Sequence, residues 1–301
     1  MPQNLHELPH YRDALSYVYL EHCRIEQHEQ AIAAHDREGM TPIPVASLAV
    51  LLLGPGTSIT HAAVKALADN NCLVVWCGEE STRYYAHGYG GTRSAGPLLR
   101  QAWYASDPRR RLQVVKKLYR MRFEDELDPD LTVEQLRGME GARVRSAYAR
   151  LSQETGVNWE GRSYDRREWL RADPVNRALS AANALLYGVC HAGILSLGYS
   201  PAIGFIHTGK QLSFVYDIAD LFKVELTVPL AFRVAAESEQ YVEERVRRAC
   251  RDRFREVRLL ERVASDLHAL FGTHPAQEEL FGPDEDPAMP TPLWSPEDDP
   301  F

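Results

Sequence analysis

A carboxylate stands where a core residue belongs. Along Val133–Leu151 apolar side chains recur at Val133, Leu136, Val144, Ala147 and Leu151, a three-and-four spacing that marks the buried stripe of a helix, and Glu140 fills the missing position. A lone carboxylate in a core is costly, so Glu140 must be paired, protonated or bound to a cation. Gly138 and Gly141 beside it leave room for something to approach. An arginine is as good a candidate as a metal ion.

A second cluster lies in Gly204–Phe222. His207 sits in a loop bounded by Gly204 and Gly209, and the helix that follows carries Asp217 and Asp220 three apart on one face, with Phe214, Ile218, Leu221 and Phe222 over the other. One imidazole and two carboxylates so close in sequence can converge on a single ion. An oxygen-rich set with one nitrogen suits manganese or magnesium with open water positions better than a closed zinc site. The competing structural reading is an aspartate that caps a helix end or pairs with a cation.

The elements that must position these residues divide the chain. Up to about residue 90, short apolar or alternating runs (Leu15–Cys23, Gln30–Ala34, Val45–Leu53, Cys72–Trp76, Arg83–His87) read as strands. They enclose one helix over Ile59–Ala68, capped by Thr57 or Ser58 after the turn Gly54-Pro55-Gly56. That turn lacks the Gly-Lys-Ser/Thr sequence of a nucleotide-binding loop, so a strand-to-helix connection is the favoured reading. After the glycine-rich run 88–96 the pattern turns helical: Pro97–Ser106, Pro108–Glu126, Val133–Gln153, Asn176–Leu197, Leu212–Phe222 and Glu239–Leu270. The expected fold class is α+β. A small β-rich N-terminal domain (1–87) and a glycine-rich linker (88–96) precede a larger all-α catalytic domain (97–275) and a disordered, acidic, Pro-rich tail (276–301).

Composition limits what such a chain can be. With 301 residues, 45% of them apolar and 25% charged, it can bury two cores, which excludes a disordered or fibrous chain. Five scattered cysteines without a CxxC pair suit a reducing cytoplasm better than secretion, and the N-terminus has no signal-peptide pattern. The uncharged run 178–209 is long enough to span a bilayer, yet Ser180, Asn183, His191, Ser196, Gly198 and Pro201 interrupt it, so it reads as a buried core helix. The net charge of −8 resides in the tail: residues 276–301 hold eight acids and six prolines but no Lys or Arg, and the remaining 34 acids balance 34 Lys plus Arg. A neutral body still leaves room for local basic faces. Seven basic residues lie between Arg109 and Arg122, with Arg109, Lys116, Lys117 and Arg120 on one helical face that could serve as a phosphate rail or be simply solvated. The last long helix carries Arg245, Arg247, Arg248, Arg251 and Arg253, with Glu239, Glu243 and Glu244 placed to pair with them.

Three segments, LLLGPGTSITHAAVKALADNNCLVVWCGE, GMEGARVR around Glu140 and GFIHTGKQLSFVYDIADLFK around His207 and Asp220, resemble in order and spacing the CRISPR-associated integrase Cas1, in its Cascade-associated (type I-E) branch. The resemblance covers essentially the whole chain, the tail least. It implies a β-domain followed by a helical catalytic domain, and a metal site at Glu140, His207 and Asp220 that holds Mg2+ or Mn2+. Asp217 falls at the family's nearby acidic position. It also implies a homodimer, two of which are bridged by a homodimer of the smaller protein Cas2.

The resulting expectation is a cytoplasmic, metal-dependent DNA integrase and endonuclease with no membrane partner. It would insert short duplexes, the spacer precursors, into CRISPR leader-repeat DNA by attack of a 3′-hydroxyl on a phosphodiester at the repeat boundary. The catalytic set is Glu140, His207, Asp220 and Asp217. Expected DNA contacts are Lys65, Arg83, Arg109, Lys116, Lys117, Arg120, Tyr164, Tyr187, Lys210, Arg247 and Arg248. Rival readings are a non-catalytic DNA-binding scaffold that measures duplex length, and a general metallophosphohydrolase.

Overall fold

The structure is a computed structural model that describes residues 16–29, 31–79, 84–88, 94–123, 125–162, 173–273 and 294–298. In chain order the first part comprises β1 (Ser16–Leu20), β2 (Arg24–His28), β3 (Ala31–His35), β4 (Met40–Ile43), β5 (Leu48–Leu53), β6 (Ser58–Ile59), α1 (His61–Asp69), β7 (Leu73–Cys77) and β8 (Tyr84–Gly88). Helices follow: α2 (Gly96–Ser106), α3 (Pro108–Arg120), α4 (Val133–Thr155), α5 (Pro174–Ser196), α6 (Ser213–Ala219), α7 (Val228–Glu237), α8 (Val242–Glu256) and α9 (Leu259–Phe271). A strand-rich region followed by a helical one is the fold class that the sequence patterns imply.

Two four-stranded sheets make up the strand-rich part, in the orders β1-β5-β7-β8 and β4-β3-β2-β6. In the first sheet β5 lies between β1 and β7, parallel to both, and β8 closes the edge antiparallel to β7. The continuous apolar sequence of β5, LAVLLL, fits a central parallel strand buried on both faces. The helix between β6 and β7 is capped by Thr60, whose side chain accepts from the Ala63 N–H at 3.3 Å, rather than by Thr57 or Ser58. Ser58 is taken up in β6, which pairs with β2. A Cβ on Gly54 would stand 2.3 Å from the Tyr19 hydroxyl, so the Gly-Pro-Gly turn is shaped by close approach of backbone to side chain.

By compactness the chain forms two units, which group residues differently from secondary-structure content. One comprises residues 1–103, 192–200 and 260–301, the other 104–191 and 201–259. In the first, Ile25, Ile32, Leu51, Leu53, Ala63, Leu67 and Val74 form one apolar cluster. Trp294 lies edge-on to Trp103 with ring centroids 6.1 Å apart, and the Arg100 guanidinium covers its face. The rest of the acidic tail, apart from the turn Pro296–Asp298, lies outside the described residues.

The second unit holds α3, α4, most of α5, and α6 to α8. Helix α3 starts where Asp107 accepts from the Arg109 and Arg110 N–H groups, with Pro108 at its first position. Helix α4 starts with a capping box between Thr132 and Gln135 and ends at Gly156 in the left-handed region. Between α6 and α7 the chain makes one π-helical turn, Lys223–Thr227, a feature that recurs at functional sites. The expected single helix Glu239–Leu270 is two: at Arg258 the backbone turns left-handed, with φ of 51°, and separates α8 from α9. Helix α5 has the length and apolarity of a membrane span, and 72% of its apolar window is buried inside the protein.

One ion pair ties α5 to α8 within this unit. The Arg177 guanidinium donates twice to Glu243, at 2.7 Å each, with both side chains only about one-fifth exposed. The pair holds Arg177 protonated above the ordinary arginine range, the hydrogen bond to Glu243 being the main cause. Arg177→Ala leaves the Glu243 carboxylate half-buried without its fork. Urea unfolding should report a loss of roughly 2 kcal/mol, below the value for a fully buried pair because some solvent screening remains. A change under about 0.5 kcal/mol, the size of an exposed pair, would contradict that view.

Candidate active site

Glu140 lies where the periodicity of α4 puts it, buried with Leu136, Ala147 and Leu151 on one face. It is paired. Arg143, one turn on, donates to both its oxygens at 2.9 and 3.2 Å. Arg122, just beyond the end of α3, places Nη1 3.5 Å from Glu140 Oε1.

The loop before α6 delivers the imidazole. Asp217, fully buried on α6, accepts from three successive backbone N–H groups: Phe205 at 2.6 Å, Ile206 at 3.2 Å and His207 at 2.8 Å. The His207 ring adds a fourth contact, Nδ1 to Asp217 Oδ1 at 2.8 Å. A carboxylate accepts only, so this contact puts a proton on Nδ1, and in the neutral ring it is Nε2 that carries the lone pair. Nε2 faces Asp220 Oδ2 at 3.9 Å, beyond hydrogen-bonding reach.

Two further contacts fix the loop. The Arg111 guanidinium, from α3, donates to the Phe205 carbonyl at 2.6 and 3.0 Å. Only glycine fits at position 204, because a Cβ there would stand 2.1 Å from the His207 carbonyl oxygen and 2.7 Å from Ser213 Cβ.

Asp220, at the end of α6, is surrounded by positive charge. Lys223 Nζ donates to its Oδ1 at 2.6 Å, and Arg122 Nη2 lies 3.6 Å from its Oδ2. Burial is the strongest single influence and works against the Lys223 charge, but Asp220 and Tyr187 together outweigh it, so the Lys223 pKa lies above the ordinary lysine value. The ammonium also covers the Tyr187 ring at 4.8 Å.

Glu140, His207 and Asp220 are thus linked through Arg122 and the facing of His207 toward Asp220. Their chemistry fits a hard divalent cation: one imidazole nitrogen not used by Asp217, and two carboxylates. Their present arrangement is held by internal cations. Among the described residues no three of His, Cys, Asp and Glu stand close enough to hold an ion as they are.

The expected DNA contacts are placed less uniformly. Lys210, Arg109 and Arg248 are exposed, the last paired with Glu244 at 3.1 Å. Lys65 is exposed and paired with Asp69 on α1. On the α3 face, Lys116, Lys117 and Arg120 are half-buried; desolvation lowers the Lys117 pKa, and Arg120 donates to the Pro129 carbonyl at 2.6 Å. Arg247 is also half-buried, and Tyr187 packs edge-on to Tyr216. Arg83 and Tyr164 lie outside the described residues.

Sequence reasoning missed Arg111, Arg122, Arg143 and Lys223. Two of them carried a readable signal, since Arg143 and Lys223 each follow a site carboxylate by three residues, the spacing of neighbours on a helix face.

The family model described as "CRISPR associated protein Cas1" matches the chain over residues 16–128 and 121–245. The chain is 59% identical over 292 residues to "CRISPR-associated endonuclease Cas1 2" of Thermus thermophilus, covering 97% of this chain and 90% of the relative. To "CRISPR-associated endonuclease Cas1" of Escherichia coli it is 42% identical over 284 residues, covering 94% and 93%. Among solved structures, "Crystal structure of TtCas1-DNA complex" superposes with a TM-score of 0.77 at 60% identity, over 87% of this chain and 98% of that one.

The two loop glycines separate steric from conformational demands. Gly204→Ala should lower stability by roughly 2–4 kcal/mol, since backbone must move to admit the methyl group. It should also speed hydrogen exchange at the Phe205, Ile206 and His207 amides, because Asp217 can no longer collect them. Gly209→Ala meets no atom and has only a positive φ of 79° to overcome, which costs about 1–2 kcal/mol. Equal effects from the two substitutions, read by thermal melting and amide exchange, would contradict this account of the loop.

Proposed function

The chain belongs to the Cas1 family of CRISPR-associated proteins, and from that premise we propose that it is a divalent-metal-dependent DNA integrase and endonuclease of CRISPR adaptation. The observation that carries the reading is that Arg122 lies between Glu140 and Asp220 while His207, oriented through Nδ1 by Asp217, faces Asp220. The substrates are a short duplex with a 3′-hydroxyl end, the spacer precursor, and CRISPR leader-repeat DNA.

The 3′-oxygen of the incoming strand forms a bond to phosphorus at the repeat boundary, and the P–O bond to the outgoing 3′-oxygen breaks. The incoming hydroxyl loses its proton and the outgoing oxygen gains one, so no nucleotide is hydrolysed. His207, Asp220 and Glu140 would hold Mg2+ or Mn2+, which would supply charge that favours ionisation of the attacking hydroxyl and offsets negative charge at the reacting phosphate. The chain's own residues do the rest. Asp217 keeps the His207 ring in one tautomer and one orientation. Lys223 stays protonated and donates to Asp220 at 2.6 Å, which fixes the position of that carboxylate. Lys210, exposed on the loop beside His207, is placed to meet a phosphate. The reverse of the joining step is strand release, so the same site would nick branched DNA.

The proposal extends to the assembly and the setting. The three quoted segments support placement in the Cascade-associated (type I-E) branch, a homodimer, and two such dimers bridged by a Cas2 homodimer. All five cysteines are buried thiols, which suits the reducing cytoplasm.

The direct test mixes the purified protein and Cas2 with a 3′-hydroxyl duplex, a plasmid bearing repeats, and Mn2+. Covalently joined DNA should form. Glu140→Ala should reduce joining by about a hundredfold or more, the loss of several kcal/mol of metal-derived stabilisation, with most of the DNA affinity retained. Tight DNA binding without joined product, in the native protein as in Glu140→Ala, would favour the duplex-measuring scaffold instead.

A further inference from the structure

Arg122 is a buried cation held in an unusual way. Its side chain is 5% exposed, and its two terminal nitrogens face the two carboxylates, Nη1 at 3.5 Å from Glu140 and Nη2 at 3.6 Å from Asp220. Both distances exceed the 2.7–3.2 Å of an N–H···O hydrogen bond. Nε and Nη2 are buried and have no hydrogen-bond partner among the described residues. The contrast within the same unit is sharp: Arg177 grips Glu243 at 2.7 Å twice, and Arg143 grips Glu140 at 2.9 and 3.2 Å. A buried guanidinium normally satisfies its fork. Arg122 forgoes hydrogen bonds and is retained by charge alone, with the Tyr119 ring beneath it at 5.0 Å.

We propose that Arg122 is an internal stand-in for the metal ion: a displaceable cation that neutralises Glu140 and Asp220 while the site is empty and must leave them when a divalent cation binds. The inference rests on the proposed metal role of those carboxylates and adds a regulatory consequence to it. A guanidinium and a divalent cation cannot occupy the gap between the same two oxygens, because their repulsion in a buried setting outweighs what either gains there. Without metal, the stand-in keeps two partly buried carboxylates from repelling each other. With metal, its displacement lowers the net affinity. The site is therefore stable without metal and loads only at the expense of an existing ion pair.

The experiment measures Mn2+ binding to the full chain, without DNA, by the loss of the free-ion electron paramagnetic resonance signal, together with melting temperature with and without Mn2+. The proteins are the native chain, Arg122→Met, Arg122→Gln and Asp220→Asn. Arg122→Met should bind Mn2+ about tenfold or more tightly than the native chain, since a competing charge has been removed. Its metal-free melting temperature should fall, and Mn2+ should raise it by more than it raises the native value. Arg122→Gln, neutral but polar, should show the same tightening, and it decides the matter should Arg122→Met not fold. If the native chain binds Mn2+ in a manner lost in Asp220→Asn, and the neutral variants bind equally or more weakly, Arg122 supports the ligands and the stand-in is wrong while the metal site survives. If neither the native chain nor the neutral variants bind Mn2+ in a manner sensitive to Asp220, both readings fall together.

Discussion

The site depends on one carboxylate that does not itself face the reaction. Asp217 is wholly buried and satisfied by three backbone N–H groups and the His207 ring. Such a concentration of donors on one acceptor explains why the loop 204–207 adopts its shape, why position 204 must be glycine, and why Arg111 reaches across to hold the Phe205 carbonyl. It also decides the chemistry of His207. With Nδ1 engaged by an acceptor, it is Nε2 that is presented toward Asp220. Removing Asp217 would therefore undo the backbone and the tautomer together.

Around that anchor the charges are arranged in close balance. Glu140 has Arg143 and Arg122, and Asp220 has Arg122 and Lys223. Each cation plays a different part. Arg143 shares a helix with Glu140 and makes true hydrogen bonds; Lys223 opens the π-helical turn and holds Asp220 at short range; Arg122 belongs to neither element and bridges both. A site proposed to bind a divalent ion reversibly must be stable without it, and the internal counter-charges would provide that stability. The buried, incompletely bonded guanidinium is the member of this set that costs most to keep, which is why the proposed displacement falls on it.

Much of this is legible in residue spacing, and the failures have physical causes. Glu140 stands out because helical periodicity requires an apolar side chain there, and α4 buries it with Leu136, Ala147 and Leu151. The loop histidine and its two aspartates are visible as a compact cluster, but the division of labour between them is not: Asp217 turns back into its own loop and Asp220 outward, although both fall on one helical face. Arg122 counts as one of a basic run, and nothing in one-dimensional spacing brings it to Glu140, eighteen residues on. In the fold, β2 escapes notice because its sequence RIEQH buries only Ile25, and its burial is set by pairing with β3 and β6. The break between α8 and α9 has neither glycine nor proline to announce it, since Arg258 itself adopts the left-handed conformation. Helix α7 is hidden by Pro229, which looks like a helix stop but occupies the first turn, where its missing N–H is harmless.

The central claim, that Asp217 fixes His207 with its proton on Nδ1 and an open Nε2 directed at the metal position, has a direct measurement: nitrogen-15 NMR of the His207 ring in the metal-free protein, followed by Mn2+ addition. At a pH where the ring is neutral, the account predicts protonation at Nδ1, with an Nε2 resonance of unprotonated type that Mn2+ broadens at substoichiometric amounts, and a ring that loses this tautomeric bias in Asp217→Asn. A ring protonated at Nε2, or one whose resonances Mn2+ leaves untouched, would contradict it.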